Sequence, residues 1–343
     1  MLSFKLRIVV KRLFQQTSKQ FRHDHSTAFL FPGQGAHFVG MCRRFANDRD
    51  IQNFFKRVNE LIGYDLLKIC VEGPAERLNR TENSQLAVLV ASLAALKWHE
   101  KHSSMYLNEQ GDPALFSAAG FSVGEYSALV FAQALTLSDA LKVVSVRAKA
   151  MQKASGNNPS GMVTVKGLND IQLDELCGAA KEWASSQHPQ QQETEAVIAN
   201  YLYPKCRVIA CSLKAMDYII QFGNSKHGAT EVSRLPVNGA FHSPLMAIAQ
   251  PALEEALDNV EIRPPAFPVY SNVTGRPYGS VEEVRRLLVQ QLVQPVLWHQ
   301  LVTSLIRDKN PVTVYEAGPG RQLNTILCRI DRRLKCSCHN IEA

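Results

Sequence analysis

Leu115-Phe-Ser-Ala-Ala-Gly120-Phe-Ser122-Val-Gly124-Glu-Tyr126 is the stretch that decides the fold. An apolar run ends at Gly120, a serine stands between two glycines, and a helical pattern begins at once. Strand, sharp turn and helix in that order form a nucleophile elbow, in which glycines permit the turn and the serine hydroxyl is left exposed. At the helix N-terminus, free N–H groups and the helix dipole favour developing negative charge. The competing reading is a helix cap, because Ser122-x-x-Glu125 is also a capping box. Capping accounts for the serine and the glutamate but not for a glycine on each side, so Ser122 is read as a nucleophile.

Outward from this elbow, short apolar runs alternate with helical patterns, which predicts an α/β architecture. Strands are expected at Thr27–Phe31, Ala114–Ala119, Met162–Val165, Val208–Ala210, Val269–Ser271 and Val312–Tyr315. Helices are expected at Ser84–His99, Val123–Ala134, Leu137–Lys153, Pro244–Asn259, Val281–Leu292 and Trp298–Arg307. The run Ser155-Gly-Asn-Asn-Pro-Ser-Gly161 reads as a turn-rich linker, and the Gln-rich Ser185–Glu195 as an exposed loop. Between about 155 and 235 the order strand, helix, loop, strand, strand, helix, strand suits a small α+β insert. The domains expected are therefore 26–154 and 236–330 of a large unit, 155–235 of a small one, and a tail at 331–343.

An unassisted serine hydroxyl is a weak nucleophile and needs a base. Of the ten histidines, His242 stands apart, after Pro236-Val-Asn-Gly-Ala-Phe241 and before Ser243-Pro244, at a strand-to-helix junction. Loops at strand ends carry the catalytic residues of α/β folds. Spacing alone leaves a capping or core histidine equally open. Phe31-Pro-Gly-Gln34-Gly35 lacks the third glycine of a dinucleotide fingerprint and the lysine of a P-loop, so it does not read as a nucleotide site. It does suit a loop that turns a backbone N–H towards a ligand. Arg147 flanks the apolar face of its helix, where a guanidinium needs an anion. The helix alone favours an internal salt bridge over a ligand contact.

The net charge is +7, yet the first 23 residues hold six Lys and Arg and no acid, which leaves +1 for the other 320. A basic, acid-free, amphipathic start is the composition of a mitochondrial transit peptide, expected over residues 1–25. With so little charge elsewhere, a nucleic-acid partner is not called for. Leu86–Leu96, the longest apolar stretch, is shorter than the roughly 20 residues needed to cross a bilayer and reads as a core helix. The eight cysteines are scattered without a C-x-x-C pair, which argues for free thiols in a reducing compartment. Cys336, Cys338 and His339 lack a second ligand pair at a usual spacing, so no metal is expected.

Six landmarks occur in order: Phe-Pro-Gly-Gln-Gly (31–35), Gly-x-Ser-x-Gly-Glu (120–125), the Arg147 helix, Gly-Ala-Phe-His (239–242), Gln-Leu-x-x-Pro-Val-x-Trp (291–298) and Glu-x-Gly-Pro-Gly (316–320). Together they resemble the malonyl-CoA:acyl carrier protein transacylases, over about residues 27–330. Phe121 and Ala-Asn-Tyr-Leu (199–202) are similar to the mitochondrial branch. The resemblance implies a large α/β-hydrolase-like subdomain with a parallel sheet, plus an inserted small ferredoxin-like α+β subdomain. It implies Ser122 as nucleophile, His242 as base oriented by main-chain oxygens including that of Gln291, and the N–H groups of Gln34 and Val123 as oxyanion hole. Arg147 would hold the malonate carboxylate, and Asn200 would contact substrate. His37 replaces a glutamine common in this loop, and Leu202 replaces a second asparagine.

The implied reaction is ping-pong transfer of malonyl from malonyl-CoA to the phosphopantetheine thiol of acyl carrier protein, for type II fatty acid synthesis. It implies no cofactor or metal of the protein's own, no membrane, a monomer and a mitochondrial matrix location. A serine thioesterase or esterase on a similar scaffold is the alternative enzyme, and a non-catalytic mitochondrial scaffold protein the alternative class.

Overall fold

The computed structural model describes residues 26–102, 115–187 and 194–343. The expected presequence and most of the Gln-rich loop lie outside the described residues. Among the described residues, nine strands form two sheets: β1 (Thr27–Phe31), β2 (Phe116–Gly120), β3 (Ser160–Lys166), β4 (Ala196–Tyr203), β5 (Cys206–Ser212), β6 (Glu231–Arg234), β7 (Val269–Tyr270), β8 (Thr313–Gly318) and β9 (Cys338–Glu342). The larger sheet runs β7-β2-β1-β8-β9 and every pairing in it is parallel. The smaller sheet runs β4-β5-β3-β6, all antiparallel. With its two helices Asp170–Gln187 and Leu213–Phe222 it has the ferredoxin-like order.

The TAFLF sequence of β1 explains the layering. Successive side chains point to opposite faces. Phe29 and Phe31 enter one core, with the helix Thr81–His102, while Ala28 and Leu30 enter another, with Trp298, Leu301 and Leu327. A strand buried on both faces reads as an unbroken apolar run, as parallel sheets require. Thr81–His102 is buried nearly all round from Leu86 to Leu96, so it is a core helix. Among the described residues no helix is long and apolar enough to cross a membrane.

The structure departs from the sequence-based expectation in several places, three of them instructive. The helix expected to stop at Lys153 continues to Asn157, and β3 starts at Ser160, so the expected linker shrinks to Asn158-Pro159. Pro159 is what stops the helix, since the residue before a proline is driven out of helical conformation. Pro244–Asn259 is a 3₁₀ turn, Pro244–Ala249, followed by a short helix, Gln250–Asp258, with Pro251 in its first turn. Cys338–Glu342, expected as part of a tail, extends the parallel sheet beside β8.

The smaller sheet is tied to the loop that follows Gln291. Tyr201 N–H donates to Val296 O at 2.9 Å and Val296 N–H to Ala199 O at 2.8 Å. This places β4 against the segment that follows Gln291.

Candidate active site

β2 ends at Gly120, and the helix Gly124–Phe131 starts four residues later. A Cβ at Gly120 would lie 1.9 Å from Gly124 C, and one at Gly124 would lie 2.2 Å from Phe31 O. Only glycine fits at either position, which explains the flanks of Ser122. Ser122 itself holds φ 53°, a left-handed conformation that costs roughly 1–3 kcal/mol. Asn272 pins it: Asn272 Oδ1 accepts Ser122 N–H at 2.7 Å and Asn272 Nδ2 donates to Gly120 O at 2.6 Å.

The Ser122 hydroxyl caps nothing. His242 Nε2 lies 2.9 Å from Ser122 Oγ, and His242 Nδ1 lies 2.7 Å from Gln291 O. A carbonyl oxygen can only accept, so Nδ1 carries the proton and Nε2 is left free to take one from serine. Burial, then the Arg147 charge, push His242 down to about 3, against the hydrogen bond to Gln291 that raises it. The imidazole is therefore neutral at physiological pH.

Arg147 is fully enclosed. Its Nη1 donates to Gln85 Oε1 at 2.5 Å, and its Nη2 to Gln291 Oε1 at 2.7 Å and Ser122 Oγ at 3.2 Å. Its Nε has no acceptor, and the Tyr126 ring lies 5.7 Å from the guanidinium carbon. The internal salt bridge that the helix pattern favoured is not formed: among the described residues no carboxylate bonds to Arg147. The nearest acid in the network is Glu125, one hydrogen bond further on. It accepts from Gln291 Nε2, from the Tyr278 hydroxyl and from Asn272 N–H at 3.2 Å. Burial pushes Glu125 up to about 7, against these donors and Arg147.

The Gln34 loop packs directly on this turn. Phe121 N–H donates to Phe31 O at 2.9 Å, and a Cβ at Gly33 would lie 2.5 Å from Phe121 O. Gln34 Oε1 accepts from Gln85 Nε2 at 3.3 Å. His37, the departure from the usual glutamine, accepts Gly35 N–H on Nδ1 at 3.2 Å and meets Asn79 Oδ1 through Nε2 at 3.2 Å, so it braces the loop. Gln322 Nε2, at the start of the helix Gln322–Ile330 that follows β8, donates to Gly35 O at 3.0 Å. Among the described residues no hydrogen bond takes up the N–H of Gln34 or of Val123.

Of the residues expected from sequence, Ser122, His242, Gln291, Arg147, Val123 and Gln34 come together. Asn200 does not join them by hydrogen bond. It lies buried on β4 beside Val296, with its Nδ2 unpartnered. Sequence reasoning missed Gln85 and Asn272 and gave Glu125 no role beyond the competing capping box. The usable signals were a buried-helix amide heading the apolar run 86–96, and an asparagine two residues after the strand that ends at Tyr270. Among the described residues no group of three or more His, Cys, Asp or Glu could hold a metal.

The acyl transferase domain family matches residues 28–332. A probable mitochondrial malonyl-CoA-acyl carrier protein transacylase of Drosophila melanogaster is 38% identical over 324 residues, covering 93% of this chain and 83% of its own. The mitochondrial malonyl-CoA-acyl carrier protein transacylase of Homo sapiens is 40% identical over 306 residues, covering 88% and 76%. The solved malonyl CoA-acyl carrier protein transacylase of Coxiella burnetii superposes with a TM-score of 0.82 at 29% identity, over 94% of this chain and 95% of that one. The serine held by a histidine on a glycine elbow, with a buried arginine beside it, thus sits in a fold shared with a solved transacylase, and the chain belongs to the acyl transferase family of malonyl-CoA-acyl carrier protein transacylases.

Proposed function

We propose that the chain moves malonyl from malonyl-CoA to the phosphopantetheine thiol of acyl carrier protein through an acyl-enzyme on Ser122. The observation that carries this is the 2.9 Å contact from His242 Nε2 to Ser122 Oγ, with Nδ1 fixed on Gln291 O. His242 takes the serine proton as Oγ bonds to the thioester carbon. The oxyanion forms in reach of the Gln34 and Val123 N–H groups, each worth about 3–4 kcal/mol. The C–S bond breaks, and His242 returns the proton to the departing coenzyme A sulfur. In the second half a carrier thiol gives its proton to His242 and attacks the acyl carbon, and Ser122 leaves and is reprotonated. Arg147, still held by Gln291, releases Ser122 and meets the malonate carboxylate, which it can grip with two parallel bonds. The scheme uses only side chains and N–H groups of one chain, which suits a monomer without a cofactor of its own. Asn200 is kept as a substrate contact only on the resemblance.

A thioesterase would use the same acyl-serine and pass it to water. His242 Nδ1 bonds a main-chain oxygen rather than an Asp or Glu, which supports transfer over that reading. The basic, acid-free N-terminus and the mitochondrial relatives support a precursor whose first 25 or so residues are removed and whose mature form works in the mitochondrial matrix. We take 155–235 as the small subdomain. The test is incubation with malonyl-CoA and then with holo-acyl carrier protein, weighing both proteins by mass spectrometry. Malonyl on Ser122 and then on the carrier is expected; rapid release of free malonate with none on the carrier would favour hydrolysis.

A further inference from the structure

Glu125 is a buried carboxylate for which the transfer chemistry has no step. Its oxygens accept from Asn272 N–H, the Tyr278 hydroxyl and Gln291 Nε2, donors on segments 147 to 166 residues away. A protonated carboxyl would have to donate as well as accept. All three neighbours aim donors at it, so the site is built for the ionised form. The charged and titratable groups around it are Tyr278, Arg147 and the adjoining Tyr126.

Gln291 transmits its influence. The Gln291 Nε2 donates to Glu125, and also to Ser122 O at 3.1 Å, while its Oε1 accepts from Arg147 Nη2 at 2.7 Å. Its main-chain oxygen accepts from His242 Nδ1. With a carboxylate on one side and a guanidinium on the other, the amide has a single satisfactory orientation. We propose that Glu125 is a positioning residue for acyl transfer: its ionised carboxylate fixes Gln291, and through Gln291 both the guanidinium that meets the substrate carboxylate and the imidazole that takes the serine proton. Through Asn272 N–H it also anchors the side chain that holds Ser122 in its left-handed conformation. The proposal rests on reading Ser122 as the acyl carrier.

Titration separates this role from simple packing. His242 is pushed down to about 3, far from neutrality, whereas Glu125 is pushed up to about 7. The acid limb of Ser122 acylation therefore falls near neutral pH and belongs to Glu125. Tyr278 lowers Glu125 by its hydrogen bond, so Tyr278→Phe moves the limb to higher pH. The experiment is single-turnover acylation by malonyl-CoA and by acetyl-CoA across pH, read by intact mass, for wild type, Glu125→Gln and Tyr278→Phe. In Glu125→Gln malonyl acylation slows about 100-fold, as expected when reacting groups are misplaced by about 1 Å. Its malonyl-to-acetyl ratio falls and its acid limb disappears. Tyr278→Phe keeps the carboxylate, so it reads the limb in a folded enzyme even where Glu125→Gln folds poorly. An unmoved limb in Tyr278→Phe, or an undiminished malonyl preference in soluble Glu125→Gln, overturns the proposal. Absence of any adduct on wild-type Ser122 overturns the transfer reading itself and this proposal with it.

Discussion

Ser122 and His242 face each other across 2.9 Å, and both hold left-handed backbone, with φ of 53° and 59°. Serine enters this region rarely, and Asn272 holds it there by accepting the Ser122 N–H, while the Gln291 carbonyl fixes the His242 ring. Glycine enters this region without penalty. Ser122→Gly is therefore expected to be more stable than Ser122→Ala by roughly 1 kcal/mol, with the malonyl adduct lost in both. Chemical denaturation ranks the two, and an Ala variant at least as stable as the Gly variant would show that the turn is unstrained.

Acid sensitivity should trace partly to His242. Its folded-state value of about 3 lies below its ordinary 6.5. Between the two, the unfolded chain binds a proton here and the folded chain does not, so stability falls as the pH drops through that window. The contribution is complete above 6.5. His242→Asn is expected to lose less stability than wild type on going from about pH 7 to about pH 5. Parallel denaturation curves for the two proteins over that range would count against a buried neutral histidine.

The contact between elbow and Gln34 loop leaves no room for a methyl group. At Gly124 it would meet Phe31 O at 2.2 Å and Pro32 O at 2.6 Å, both backbone atoms. Gly124→Ala should therefore cost more than the roughly 1–3 kcal/mol of ordinary overpacking and should part the loop from Ser122. Gly178 is the control: it sits in the helix Asp170–Gln187, where an added methyl group would meet nothing within 4 Å. Gly178→Ala should raise stability by up to about 1 kcal/mol. Melting temperatures moving in opposite directions are the expected result.

Much of this was legible in the chain because it is local. The alternation in Thr27–Phe31, the glycines around Ser122 and the strand-helix order of the small sheet are each set within a dozen or a few dozen residues. Glu125 shows where such reading fails. Its spacing from Ser122 fits a capping box, yet its carboxylate bonds Gln291, 166 positions away. Periodicity and spacing report which face a residue takes, not which distant segment that face meets. Gln85 and Asn272 were missed for the same reason, since their partners Arg147 and Ser122 lie 62 and 150 positions off. The resemblance supplied Gln291, because there the needed atom is a backbone oxygen that no side-chain pattern reveals. β9 escaped because Cys338–Glu342 is a short edge strand with charged and polar residues and only Ile341 well buried.

Arg147 supplies the sharpest test of selectivity. Its guanidinium rests on Gln85 Oε1, Gln291 Oε1 and Ser122 Oγ, all uncharged acceptors. A substrate carboxylate is a better partner, since hydrogen bonds between charged groups contribute about 1.5–3 kcal/mol each. Two of them would favour malonyl over acetyl by at least about 100-fold. Capture of the carboxylate would also cancel the charge that helps hold His242 down, so the correct substrate would strengthen the base that attacks on its behalf. Arg147→Met removes the charge while keeping much of the side-chain volume. Its malonyl-to-acetyl acylation ratio should fall by at least about 100-fold, and His242 should titrate at a higher pH by nitrogen NMR. A malonyl preference that survives would place carboxylate recognition on another residue, and an unmoved His242 would leave burial as the sole cause of its low value.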